Sequence, residues 1–165
     1  MEYTPMVQSK PSLSFAFLPK AGSGYTTALG IGYRMMERYD NRKKEVGFEM
    51  NYFMDIGNLV KTGTPDPTNL WTGFNITLLF THGWGLFGDE ENYNKPRGVV
   101  YAAVGGTYTS GFLGGVLRGS YESRLAKHWA VTGFLGYRPT ATLVIGSSNA
   151  TLSGVEGGVG VGFLF

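Results

Sequence analysis

From Ser12 to Phe165 the apolar residues return at every second position, segment after segment, and that alternation limits the chain to β-structure. "SLSFAFL" sets Leu13, Phe15 and Phe17 opposite Ser12, Ser14 and Ala16. "YTTALGIGYRM" sets Leu29, Ile31, Tyr33 and Met35 opposite Ala28, Gly30, Gly32 and Arg34. The same pattern recurs in "EVGFEMNYFMD", "TGFNITLLF", "FLGGVLRGSYE", "HWAVTGFLGYR" and the terminal "SGVEGGVGVGFLF". An eighth segment, "VVYAAVGGTY", is apolar on both faces, so its orientation stays open. Turn chemistry separates the segments: "PKAGSG", "ERYDNRKK", "TGTPDPTN", "GDEENYNKP", "TSG", "SRLAKH" and "GSSNA". No 3.6-residue period persists long enough for a crossover helix. The pattern predicts an all-β, eight-stranded antiparallel up-and-down barrel, residues 12–165, preceded by an N-terminal segment, residues 1–11.

The two faces of these strands decide which way the barrel is turned. A soluble barrel carries its charges outside, yet only 16% of this chain is charged, against roughly 25% in ordinary soluble domains. The polar face is mostly Gly, Ala, Ser, Thr and Asn, and the chain holds 26 Gly. Small residues suit the crowded interior of an eight-stranded barrel, and the large aromatic face suits lipid. The chain is therefore expected to be a transmembrane barrel with its apolar face outward. By the same parity Arg34, Glu45, Glu49, Arg118, Glu122, Arg138 and Glu156 point inward, four acids and three bases from five strands. Buried charges persist by pairing, which predicts an interior salt-bridge network. Tyr25, Tyr33, Tyr52, Trp71, Tyr121, Trp129 and Tyr137 fall near segment ends, where aromatic girdles lie.

Other signals are weaker. No run approaches the ~18 apolar residues of a transmembrane helix. The opening "MEYTPMVQSKPS" lacks the basic start and apolar centre of a signal peptide, which leaves a cytosolic protein or a mature form open. With no Cys, disulfides and thiolate metal sites are excluded. A net charge of +2 gives no reason to expect nucleic acid as a partner. "GWGLFG" (Gly83 to Gly88) has G-x-G-x-x-G spacing but no βαβ unit around it, so a glycine-rich strand end is expected. "DEEN" (Asp89 to Asn92) lacks EF-type spacing and reads as a solvated turn; no metal or cofactor is expected. "RYDNRKK" gathers Arg38, Arg42, Lys43 and Lys44 in a basic turn, either solvated or facing lipid phosphates. Asn75-Ile-Thr and Asn149-Ala-Thr match a glycosylation pattern, to which no function is assigned in a strand and a loop. A catalytic reading pairs His128 with Ser120 or Ser123 and Glu122, but no serine motif supports it, and a turn histidine is the plainer assignment.

The end of the chain carries a resemblance. Phe165, preceded at alternate positions by Phe163, Val161 and Val159, resembles the C-terminal assembly signal of bacterial outer-membrane β-barrels. The whole chain from about Ser12 is similar in pattern to the small eight-stranded members, the OmpA transmembrane domain and OmpX. That resemblance implies a bacterial outer-membrane location, a cleaved signal peptide, contact with outer-membrane lipid and lipopolysaccharide, and handling by the barrel-assembly machinery. It also implies periplasmic termini and extracellular connections near 19–24, 56–69, 109–111 and 139–152, which leaves Thr81 to Arg97 as an unusually long periplasmic turn. Continuation of the even-numbered face through His82, Trp84 and Leu86 offers longer strands as the remedy, and a miscounted strand is the alternative. The function expected is a side-chain-filled membrane barrel that is structural or acts through its loops, whose partner the sequence does not name. A narrow channel, a lipid-modifying enzyme and a soluble lipocalin-like carrier of a hydrophobic ligand are the alternatives.

Overall fold

The computed structural model describes residues 6–19, 25–39, 44–56, 74–87, 98–109, 112–139, 142–143 and 153–165. They form strands β1 (Met6–Pro19), β2 (Tyr25–Tyr39), β3 (Lys44–Asp55), β4 (Phe74–Phe87), β5 (Gly98–Thr109), β6 (Phe112–Arg124), β7 (Trp129–Arg138), β8 (Thr142–Leu143) and β9 (Gly154–Phe163). The sheet order is β5-β4-β3-β2-β1-β9-β7-β6, and β5 pairs with β6 to close the ring. β8 is a two-residue extension beyond β7, pairing with Phe112 and Leu113 of β6. The architecture is thus an eight-walled, closed, antiparallel up-and-down barrel, in which each of the eight walls pairs with a neighbour on both sides.

Parity holds along the walls. Leu13, Phe15, Leu29, Ile31, Phe48, Met50, Leu78, Phe80, Leu117 and Leu135 are exposed on the outside. Between them, Arg34, Asn51, Thr77, Arg118, Glu122 and Glu156 are buried inside. β5, ambiguous in sequence, turns its odd positions inward: Val99, Tyr101 and Thr107 are buried, whereas Ala102 and Val104 are exposed.

The strands run longer than the apolar alternation. β1 begins at Met6, so half of the segment expected to precede the barrel is wall. Pro11 is tolerated because the β1–β9 ladder begins only at Ser12↔Gly162, so no strand partner on that side needs its missing N–H. β4 continues to Phe87, with a register shift between Gly85 and Phe87, and β5 starts at Gly98. The long turn expected from Thr81 therefore shrinks to residues 88–97. "GWGLFG" enters the end of β4 through Phe87, with Gly83 facing Tyr101. "SRLAKH" is shorter than expected too: Arg124 belongs to β6, and the turn closes through Leu125 N–H to the Trp129 carbonyl at 3.0 Å. Within the span expected as a 139–152 connection, Thr142 and Leu143 are strand.

Of the aromatic residues expected at strand ends, Tyr25 and Trp129 open their strands and Tyr137 lies one residue from the end of β7. Tyr52 and Tyr121 each lie three residues from a strand end. Tyr33 sits in mid-strand opposite Pro11, where its hydroxyl donates to Ser9 Oγ at 2.9 Å. Trp71, Arg42, Lys43, Asp89 to Asn92 and Asn149 lie outside the described residues.

Candidate functional site

The distinctive region is the barrel's interior. An eight-stranded ring is only wide enough for side chains to meet across it, so residues on opposite walls can bond directly. Arg34 on β2 and Glu122 on β6 are four strands apart in either direction, and Arg34 donates to Glu122 Oε2 at 2.5 Å. Lys10 on β1 reaches the same oxygen at 2.7 Å, and Arg124 donates to Glu122 Oε1 at 3.0 Å. Glu45 accepts from Arg38 at 3.0 Å, from Arg124 at 2.9 Å and from the Tyr101 hydroxyl at 2.7 Å. Tyr101 also carries the Arg34 guanidinium over its ring, 4.1 Å from the centroid.

A second cluster centres on Glu156. Arg118 grips its Oε1 with two nitrogens at 2.6 and 2.8 Å, while Arg138 donates to Oε2 at 2.6 Å. Arg118 extends to Glu49 at 3.2 Å, and Arg138 to Asn75 at 3.2 Å. Asn75, half of a glycosylation pattern in sequence, is buried and also bonds Thr107 and Thr77. Side chains from all eight walls therefore enter these two clusters.

Glycines create the room. A Cβ on Gly136 would stand 2.8 Å from the Glu156 side chain, and one on Gly162 would stand 2.6 Å from Lys10. A Cβ on Gly158 would press on the Phe134 ring, whose face carries Arg118 at 4.4 Å. The glycine run of the last strand is the surface against which long interior side chains lie.

All seven residues singled out by parity stand inside, but the set was incomplete. Lys10, Arg38, Arg124 and the Tyr101 hydroxyl belong to it, giving six cations and four carboxylates among the described residues in place of three and four. Arg38 corrects an expectation directly. It is buried and bonds Glu45 and Gln8, so it is no part of a basic turn at the membrane surface. Lys44 opens β3. The signal that would have found Lys10, Arg38 and Arg124 is parity itself: each continues the inward row of its strand.

The catalytic pairing is not formed. His128 Nδ1 bonds the Leu164 carbonyl at 2.9 Å, and its ring stacks on Phe163 at 5.3 Å. Glu122 is held by Lys10, Arg34 and Arg124 within the barrel. His82, on the outer face, bonds the Tyr39 hydroxyl. Among the described residues, no group of three His, Asp or Glu side chains is placed to hold a metal. Of the residues expected as an assembly signal, Val159 and Val161 are exposed on the outer face of β9. Phe163 ends that strand and packs on Trp129 and Phe165, and Phe165 lies exposed two residues beyond it. The end of the chain is tied in by Phe165 N–H to the Ser9 carbonyl at 2.9 Å and Leu164 N–H to the His128 carbonyl at 2.7 Å.

Fold and interior together define a class: a small closed β-barrel that is apolar outside and charged within. Among solved structures the chain is similar to Neisserial surface protein A, with a TM-score of 0.54 and 8% identity over 96% of this chain and 94% of that one. At that identity the likeness is one of fold. No protein-family model and no curated protein sequence matches the chain.

Proposed function

We propose that the protein is an integral barrel of the bacterial outer membrane, closed to flow by its interior side chains and acting as a structural element or through its loops. One observation carries this reading: the polarity of the fold is inverted. Leu13 is 67% exposed and Leu135 70%, while Arg34 is 2% exposed and Glu122 0%. Water would penalise the first pair, and a soluble fold would not bury the second. A lipid surround satisfies both, because each strand then keeps its apolar residues in hydrocarbon and pairs its charges within.

Contact with outer-membrane lipid and lipopolysaccharide follows from that setting, as does delivery by the assembly machinery with Val159, Val161, Phe163 and Phe165 as the address. The termini would be periplasmic, and the β1–β2, β3–β4 and β5–β6 connections would face outward with the one before β9. The barrel test is refolding from urea into detergent micelles. A folded form that migrates faster than the heated form on electrophoresis is expected. A chain that is folded, monomeric and soluble without detergent would overturn the reading in favour of a soluble carrier.

A further inference from the structure

Between the two charge clusters lies a cavity of about 30 Å³. Lys10, Arg34 and Arg118 line it, as do the hydroxyls of Ser12, Ser14 and Ser120. Three cationic side chains thus surround a space larger than the roughly 10–15 Å³ that one water needs. Glu49 is the one carboxylate on its wall, and its Oε1 already accepts from Asn51 at 2.8 Å and Arg118 at 3.2 Å. Asn51 and Thr132, also on the wall, are occupied in turn: Asn51 donates to Glu49, and Thr132 accepts from Lys10 at 2.9 Å.

Arg34 is the unusual member. One nitrogen bonds Glu122 and one face lies on Tyr101, but its Nε and Nη1 are buried with no protein partner. Arg124 and Arg138 each have one unpartnered nitrogen as well, but neither lines the cavity. Buried guanidinium N–H groups are costly to leave unbonded, and the three cations lining the cavity face one carboxylate on its wall. We infer that this cavity is a binding site for one monatomic anion of the halide class, held by Arg34 Nε and Nη1 and the surrounding serine hydroxyls. The anion would be taken up as the barrel closes, and the inference does not depend on what surrounds the barrel.

The test refolds the full chain in sodium bromide, and in parallel in sodium chloride or sodium gluconate at equal ionic strength. Diffraction at the bromine absorption edge is expected to give an anomalous peak within hydrogen-bond distance of Arg34. The urea midpoint is expected to be higher in chloride and bromide than in gluconate, which is too large to enter. Ser120→Leu fills the space without touching an ion pair and should remove both the peak and the anion dependence while the barrel still folds. Arg34→Gln should remove the peak as well. Equal midpoints in all three salts, or density in the cavity without anomalous signal, would mean that water alone fills it and would overturn the inference.

Discussion

Arg34 and Glu122 stand on diametrically opposite walls of the barrel and meet at 2.5 Å. A bond across the full width of the ring ties β2 to β6 independently of the strand ladders. Both side chains are buried in the interior of the ring. Lys10 and Arg124 converge on the same carboxylate, so one buried glutamate holds three cations from three strands.

Glu122 is therefore the side chain whose loss should cost most. Glu122→Ala leaves three buried cations facing one another, and removing one partner of a buried pair costs about 3–5 kcal/mol. Glu49→Gln should cost much less, because Arg118 keeps its two bonds to Glu156. Urea unfolding of the refolded proteins measures both, and equal midpoints for the two variants would contradict the hierarchy.

Glycine positions should divide by what they face. Gly136→Val would press on Glu156 and on the Leu117 carbonyl, 2.9 Å from the new Cβ, and should lower the refolding yield and the unfolding midpoint. Gly133 faces open space, with nothing within 4 Å, so Gly133→Val should leave the midpoint unchanged or slightly raised.

The outer face makes a different prediction for lipid than for water. Leu135→Arg should destabilise the barrel by roughly 1–4 kcal/mol in a bilayer, because the cost of a charge on the lipid face rises from the interface to the midplane. On the outside of a soluble barrel the same change would fall within about 0.5 kcal/mol. Unfolding from lipid vesicles distinguishes the two.

At the C-terminus the side chain and the backbone separate. Phe165 is 72% exposed, while its N–H bonds Ser9 whatever the side chain. Phe165→Ala should refold in micelles with stability near that of the parent yet accumulate to a lower level in the outer membrane of cells. Normal cellular levels would remove the terminal residue from the assembly address.

How much of this was legible beforehand follows from parity. Alternation shows eight walls and the inward direction of Arg34, Glu45, Glu49, Arg118, Glu122, Arg138 and Glu156. It loses Lys10, Arg38 and Arg124 because apolar alternation fades where the strands run on toward their polar rims, and turn-like composition takes over there. It loses Tyr101 because β5 is apolar on both faces. Partners are beyond it altogether: Arg34 and Glu122 lie 88 residues apart, and only closure of the ring brings them together.

The central claim is that the apolar face of these strands meets hydrocarbon. Because the chain has no cysteine, a single spin-labelled cysteine can be placed in turn at Ile76, Leu78 and Phe80 on the outer face of β4. In lipid vesicles, electron paramagnetic resonance should show these labels open to collision with dissolved oxygen and shielded from a water-soluble nickel chelate. Nickel access at Leu78 as high as at an aqueous reference label would contradict the account.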